Sequence, residues 1–199
     1  MRRLPLVVGS LGLFVGAAVL VAILVATAGP PPLEIVQSWT RSRNAGDVET
    51  AMSYLAHDAN VFGFSIASPS RRDQTRGILE AQATAGWTIE ESDCSTAGES
   101  VTCRYRMHDE VLRRWGMAFT GVHEYVVHDG KLASSKRFHD LASRDQVYAA
   151  LDAFREWVRV THPDLLYVIW SDAQSVTYAT PEGAEAMLNL LDEYDRRQD

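Results

Sequence analysis

Residues 4–28 contain no Asp, Glu, Lys, Arg or His. At about 1.5 Å per helical residue the run reaches roughly 37 Å, against a hydrocarbon core of ~30 Å. It is rich in Leu, Val and Ala, with Gly9, Gly12 and Gly16 scattered through it, and it has no polar face of the kind a soluble helix of that length keeps. The expectation is one transmembrane helix over 4–28. Arg2 and Arg3 then lie in a cytoplasmic stub of residues 1–3, and the rest of the chain lies outside. The other reading is a cleaved signal peptide, ending at the small-residue pattern Ala26-Thr27-Ala28 and giving a secreted product. The length of the apolar run, and Pro30-Pro31-Pro32 directly after it, favour a retained anchor. The twin arginine lacks the polar context of a Tat signal, and no Cys ends the run to carry a lipid.

The remainder is long enough for one domain with a sizeable core. Net charge is -7, and two units more negative once Arg2 and Arg3 are set aside. That excludes sequence-independent binding to nucleic acid, which needs an excess of Lys and Arg. Export also fits the two cysteines. Cys94 and Cys103 flank the turn-forming stretch Ser-Thr-Ala-Gly-Glu-Ser. Strands over 87–94 and 100–107, with a turn near Gly98, put the two directly opposite each other, within reach of a disulfide.

Local signals divide the remainder as follows. Residues 29–32 read as a short proline linker. Pro32 suits the first turn of a helix with an apolar stripe of Leu33, Ile35, Val36, Trp39 and Thr40, ending at Asn44-Ala45-Gly46. Asp47 caps a second short helix with Met52 and Leu55 inside. A strand is expected over 61–66, then a helix from Ser70 paired with Asp73 and running to Ala85. After the cysteine hairpin, the charged stretch 108–116 reads as a loop or strand extension. Strands over 117–127 and 131–139 turn at Asp129-Gly130. Ser143 and Gln146 form a capping box for a helix with Val147, Leu151, Phe154 and Val158 on one face. Residues 163–170 read as a short helix. Thr180-Pro181 opens a last helix with Met187, Leu188, Leu191 and Tyr194 on one face. The fold class is α+β: a cone-shaped, curved antiparallel sheet wrapped around N-terminal helices, with extra C-terminal helices and a transmembrane helix in front.

Two strings, VQSWTRSRNAGDVETAMSYLAHDANV and EYVVHDGKLASSKRFHD, resemble the opening helices and closing hairpin of the nuclear-transport-factor-2-like superfamily, especially its SnoaL-like members. The resemblance implies a SnoaL-like cone over 33–142, followed by a helical extension over 143–199. That fold serves isomerases, cyclases, hydrolases and binding modules. The ketosteroid isomerase branch requires a Tyr, an Asp base and a protonated acid. By local match those positions hold Trp39, Gly63 and His123, so that chemistry is not expected. No Asp-Arg-Asp set of the superfamily's epoxide hydrolases can be placed either.

Strand alternation puts Phe119, Gly121, His123, Tyr125 and Val127 on one face. The local match turns Ser135, Arg137 and His139 inward as well, with Trp39, Leu55 and Gly63 closing the base. The ligand-pocket candidates are therefore Trp39, Leu55, Gly63, His123, Tyr125, Arg137 and His139, with His123 as a possible general base and Arg137 as an anion clamp. Phe154, Trp157 and Trp170 are available to plug the cone. No metal site or cofactor is expected. The favoured reading is a non-catalytic envelope domain that binds a small hydrophobic ligand, a protein partner or a second copy of itself. It is similar only in layout to bitopic components of type IV secretion cores and lipid importers. The alternative is an exported cyclase, isomerase or hydrolase acting on an apolar substrate.

Overall fold

The computed structural model describes residues 29–170 and 180–197. The expected membrane helix over 4–28 lies outside the described residues. Among those residues no helix is long and apolar enough to cross a membrane.

Helix α1 (Pro32–Asn44) starts on Pro32 and buries Ile35, Val36, Trp39, Thr40 and Arg43. The stripe is the expected one without Leu33, which is only half-buried, and with an arginine added. The chain leaves α1 through Gly46 in the left-handed region (φ +70°). Helix α2 (Val48–Ser53) is capped by Asp47, whose carboxylate accepts from Thr50 N at 3.1 Å. Strand β1 (Leu55–Val61) and the two-residue β2 (Phe64–Ser65) then form a tight hairpin. The strand expected over 61–66 is therefore broken at Phe62-Gly63 by this hairpin's turn. The apolar residues there suggested a continuous strand, but Phe62 and Gly63 both take positive φ and reverse the chain.

Helix α3 (Pro69–Thr84) is capped by Ser68, which accepts from Arg71 N, with Pro69 in the first turn. Proline at the first helical position moves the start to Pro69, one residue ahead of the expected Ser70. Strands β3 (Thr88–Ala97) and β4 (Ser100–His108) are the cysteine hairpin. The stretch 108–116 is not a loop. Asp109 accepts from Leu112 N at 2.9 Å and starts helix α4 (Glu110–Arg114), which buries Val111 and Leu112. Strands β5 (Phe119–His128) and β6 (Lys131–His139) turn at Asp129-Gly130 as expected.

Helix α5 (Leu141–Thr161) begins ahead of the expected capping box. Ser143 lies inside its first turn and serves the sheet instead, accepting from Thr120 N at 3.1 Å. A 3-10 turn (Pro163–Leu165) and helix α6 (Leu166–Ile169) follow. Helix α7 (Pro181–Asp195) is capped by Thr180, which accepts from Gly183 N at 3.1 Å.

The strands form one curved, open sheet in the order β2-β1-β6-β5-β4-β3. It is mixed rather than antiparallel, because β1 runs parallel to β6. Parallel pairing needs a long crossover, and the segment from α3 to β5 supplies it. Cys94 and Cys103 are disulfide-bonded across the β3–β4 hairpin, Cα to Cα 4.1 Å. An ideal Cβ added at Gly121 would sit 1.9 Å from the Phe138 carbonyl oxygen, so β6 closes on β5 there as no other residue would permit.

The core has two parts. One gathers Ile35, Val36 and Trp39 of α1 with Val61, Val101, Cys103 and Tyr125 of the sheet. The other joins Trp87, Tyr105 and Phe119 to Val147, Leu151, Phe154 and Val158 of α5 and to Met187 and Leu191 of α7. Helix α5 thus buries its apolar face on the sheet, and α7 packs against α3 and α6.

Candidate functional site

Alternation places Phe119, Gly121, His123, Tyr125 and Val127 of β5 on the inner face, all buried. Val101, Cys103, Tyr105 and Met107 of β4 lie beside them, also buried. From β6, Arg137 pairs across the strands with His123, and His139 pairs with Gly121. With no side chain at Gly121, Tyr105 and His139 meet from either side of it, hydroxyl to Nδ1 at 2.5 Å.

At the α1 end these side chains close on one another. His123 is 1% exposed, and its Nδ1 lies 3.3 Å from Glu91 Oε1 of β3. The Tyr125 hydroxyl donates to Glu91 Oε1 and also meets His123 Nδ1. Thr40 Oγ1 of α1 donates to Glu91 Oε2 at 3.0 Å. Trp39 packs edge-on against the Tyr125 ring. Arg43 is held between the rings of Trp39 (4.3 Å) and Trp87 (4.1 Å) and donates to Gln82 Oε1 at 2.8 Å.

Burial decides the charges here. It pushes the His123 imidazole down to about 4, with Glu91 pulling weakly the other way. It drives the Tyr125 phenol well above its ordinary range and brings Arg43 down to about 9. At neutral pH the cluster therefore holds a neutral histidine and a neutral tyrosine. With Tyr125 donating to Glu91, His123 serves best with its proton on Nδ1. Nε2 is then a buried acceptor, and it has no partner among the described residues.

The other end is not closed. A cavity of about 110 Å³ lies between the sheet and helices α3, α4, α5 and α7. Its apolar wall includes Trp87, Met107, Phe119, Leu151 and Met187, and its polar groups include Gln82, Asp109, Arg137, His139 and Tyr148. The space is smaller than the roughly 300–1,000 Å³ of drug-sized sites. Phe154 and Trp170 are fully buried behind it and do not line it. Arg137 Nη1 approaches Met107 Sδ at 2.7 Å, and the guanidinium lies 5.9 Å from the Trp87 ring. Burial, and then the Arg137 charge, hold His139 below its ordinary range, which keeps it neutral at pH 7. Among the described residues no group of three or more His, Cys, Asp or Glu side chains could hold a metal ion.

The seven candidates of the sequence separate into groups. Trp39, His123 and Tyr125 belong to the closed cluster, and Arg137 and His139 line the cavity. Leu55 is buried in the core where β1 meets β6. Gly63 sits in the β1–β2 turn with open space around its Cα, away from both. Glu91 was missed, though its signal was present: it stands two residues after the buried Ile89 and so shares its inward face. Arg43 and Gln82 carried no such signal, because each lies on a helix whose polar side is otherwise solvated.

No family model matches the chain, and no curated protein does. Solved structures do. A nuclear-transport-factor-2-like protein of unknown function from Cytophaga hutchinsonii is 12% identical over 57% of this chain and 94% of its own, with a TM-score of 0.45. An epoxide hydrolase/cyclase-like enzyme with a role in pyran ring formation in polyether salinomycin is 21% identical over 56% and 92%, TM-score 0.47. An LEH-like epoxide hydrolase of M. tuberculosis is 17% identical over 66% and 96%, TM-score 0.47. These are likenesses of overall fold.

Proposed function

We propose that this chain is a membrane-tethered, extracytoplasmic SnoaL-like domain whose cavity binds a small hydrophobic ligand without reacting with it. One observation carries the reading. The cavity wall is largely apolar, while the general base expected from the sequence, His123, is absent from that wall and is engaged by Tyr125 and Glu91. A general base must reach the proton it removes, to within about 3 Å or through one water. The uncharged run over 4–28 behind Arg2 and Arg3 supports the tether, and the Cys94–Cys103 bond supports an oxidising compartment.

The test is made on the full chain in membranes. It should resist carbonate extraction, its domain should be open to external protease, and its cysteines should label only after reduction. After mild detergent extraction, native mass spectrometry should find a small apolar ligand. Leu151→Trp, which fills the cavity, should lose it. Recovery in the cytosol with both thiols free would overturn the tether. Turnover of the bound compound by the purified chain would overturn the non-catalytic part.

A further inference from the structure

We propose that the ligand of this cavity is a small monocarboxylic acid, bound through its carboxylate by Arg137. The inference rests on the binding reading above and names the chemical class that site would take.

Arg43 and Arg137 both stand against the Trp87 ring, at 4.1 Å and 5.9 Å. The carboxylate buried beside them is Glu91, which accepts from Thr40 and Tyr125 on the α1 side. Among the described residues no carboxylate lies within 4 Å of the Arg137 guanidinium, and its near neighbours are a thioether and an indole. Asp109 is also on the cavity wall, where its carboxylate caps α4 by accepting from Leu112 N. A guanidinium taken out of water without a counter-ion is a costly arrangement. Here it borders the cavity, half-buried.

A planar fork of N–H donors in such a place matches a carboxylate, which it can hold through two parallel hydrogen bonds. His139 sits beside it on the same wall, uncharged, with Nδ1 committed to Tyr105. It adds no second cation, so the site favours a single negative charge. The rest of the wall is aromatic and aliphatic, which suits a hydrocarbon tail. An apolar cavity of about 150 Å³ accommodates benzene, so 110 Å³ admits a hydrocarbon tail of roughly four carbons.

Met107 and Met187 line this cavity, and there are five methionines in the chain, so their methyl groups report on it directly. The experiment uses the full chain in nanodiscs with 13C-methyl methionine, titrated separately with pentanoate and pentan-1-ol. Both should move the Met107 and Met187 signals, the acid with at least tenfold higher affinity. Arg137→Met should bring the two affinities within threefold, and Leu151→Trp should abolish both responses. Arg137→Lys keeps the charge but loses the fork, and should lower acid affinity at least threefold while leaving the alcohol unchanged. Should the Met variant fail to fold, the Lys variant decides. Equal binding of acid and alcohol to the unmodified chain, or an acid preference untouched by both Arg137 substitutions, would overturn the proposal and leave the hydrophobic-ligand reading intact. No response to either probe would overturn both.

Discussion

The two ends of the inner sheet face handle buried polar groups in opposite ways. Under α1, Glu91, Thr40, Tyr125 and His123 are joined in one hydrogen-bonded cluster, in which His123 Nε2 has no partner among the described residues. Under α5 and α7, Arg137 has no acidic partner among the described residues and borders a cavity. A polar group matched by its neighbours stabilises and specifies a core; one left unmatched beside a void requires a ligand or carries a penalty. Residues of similar chemistry on neighbouring strands thus take different roles according to what the helices place opposite them.

The sharpest way to break this comparison is to loosen the helices that cover the cavity end. Phe154 is fully buried and meets the rings of Trp115, Trp157, Trp170 and Tyr194. Phe154→Ala should destabilise the chain by roughly 4 kcal/mol in urea unfolding. A loss below about 1 kcal/mol would mean that the C-terminal helices are an appendage, and that the cavity has no fixed wall on that side.

The next test addresses the closed end. His123 binds a proton at about 4 when folded, against its ordinary 6.5 when unfolded. Below pH 6.5 the unfolded chain therefore takes up more protons. Stability from this group is complete above that pH and declines as pH falls toward about 4, by on the order of 3 kcal/mol. Other carboxylates titrate in the same range, so the measurement is the difference between the native chain and His123→Gln. That difference should grow in the native chain's favour from pH 4 to 6.5 and then stay flat. A constant difference would mean that His123 is hydrated and open to the cavity, which would restore it as an acid–base candidate. Glu91→Ala should follow at about 2 kcal/mol, because it strips the acceptor from two buried hydroxyls.

The division between the ends explains what could be read in advance. Features set by local spacing were legible: the disulfide across a turn near Gly98, the Asp47 and Thr180 caps, and the α5 stripe of Val147, Leu151, Phe154 and Val158. Alternation along β5 and β6 also gathered His123, Tyr125, Arg137 and His139 on the inner face. Alternation could not say which of them would share a cavity. That depends on Glu91 arriving from β3 and on α5 and α7 covering one side only, and both are contacts between residues far apart in sequence. The parallel pairing of β1 with β6 was hidden for the same reason. Gly63 was misplaced because its assignment assumed a strand through 61–66, where the chain instead turns.

The smallest expected effect separates the two ends most directly. Arg137→Met replaces an unmatched guanidinium with an apolar side chain of comparable length, beside Met107 and Trp87. Removing one partner of a matched buried pair is destabilising, whereas replacing an uncompensated ion with a packed hydrophobe is neutral or favourable. Without ligand, Arg137→Met should therefore leave stability unchanged or raise it by about 1 kcal/mol, opposite in sign to Glu91→Ala. The same substitution should remove the preference for an acid over an alcohol, so the residue would be kept at some expense to the fold because binding requires it. Urea unfolding of the ligand-free full chain, made beside Glu91→Ala in one buffer, measures the sign. A loss of 2 kcal/mol or more would show that Arg137 is matched inside the folded chain, and the contrast between the two ends would disappear.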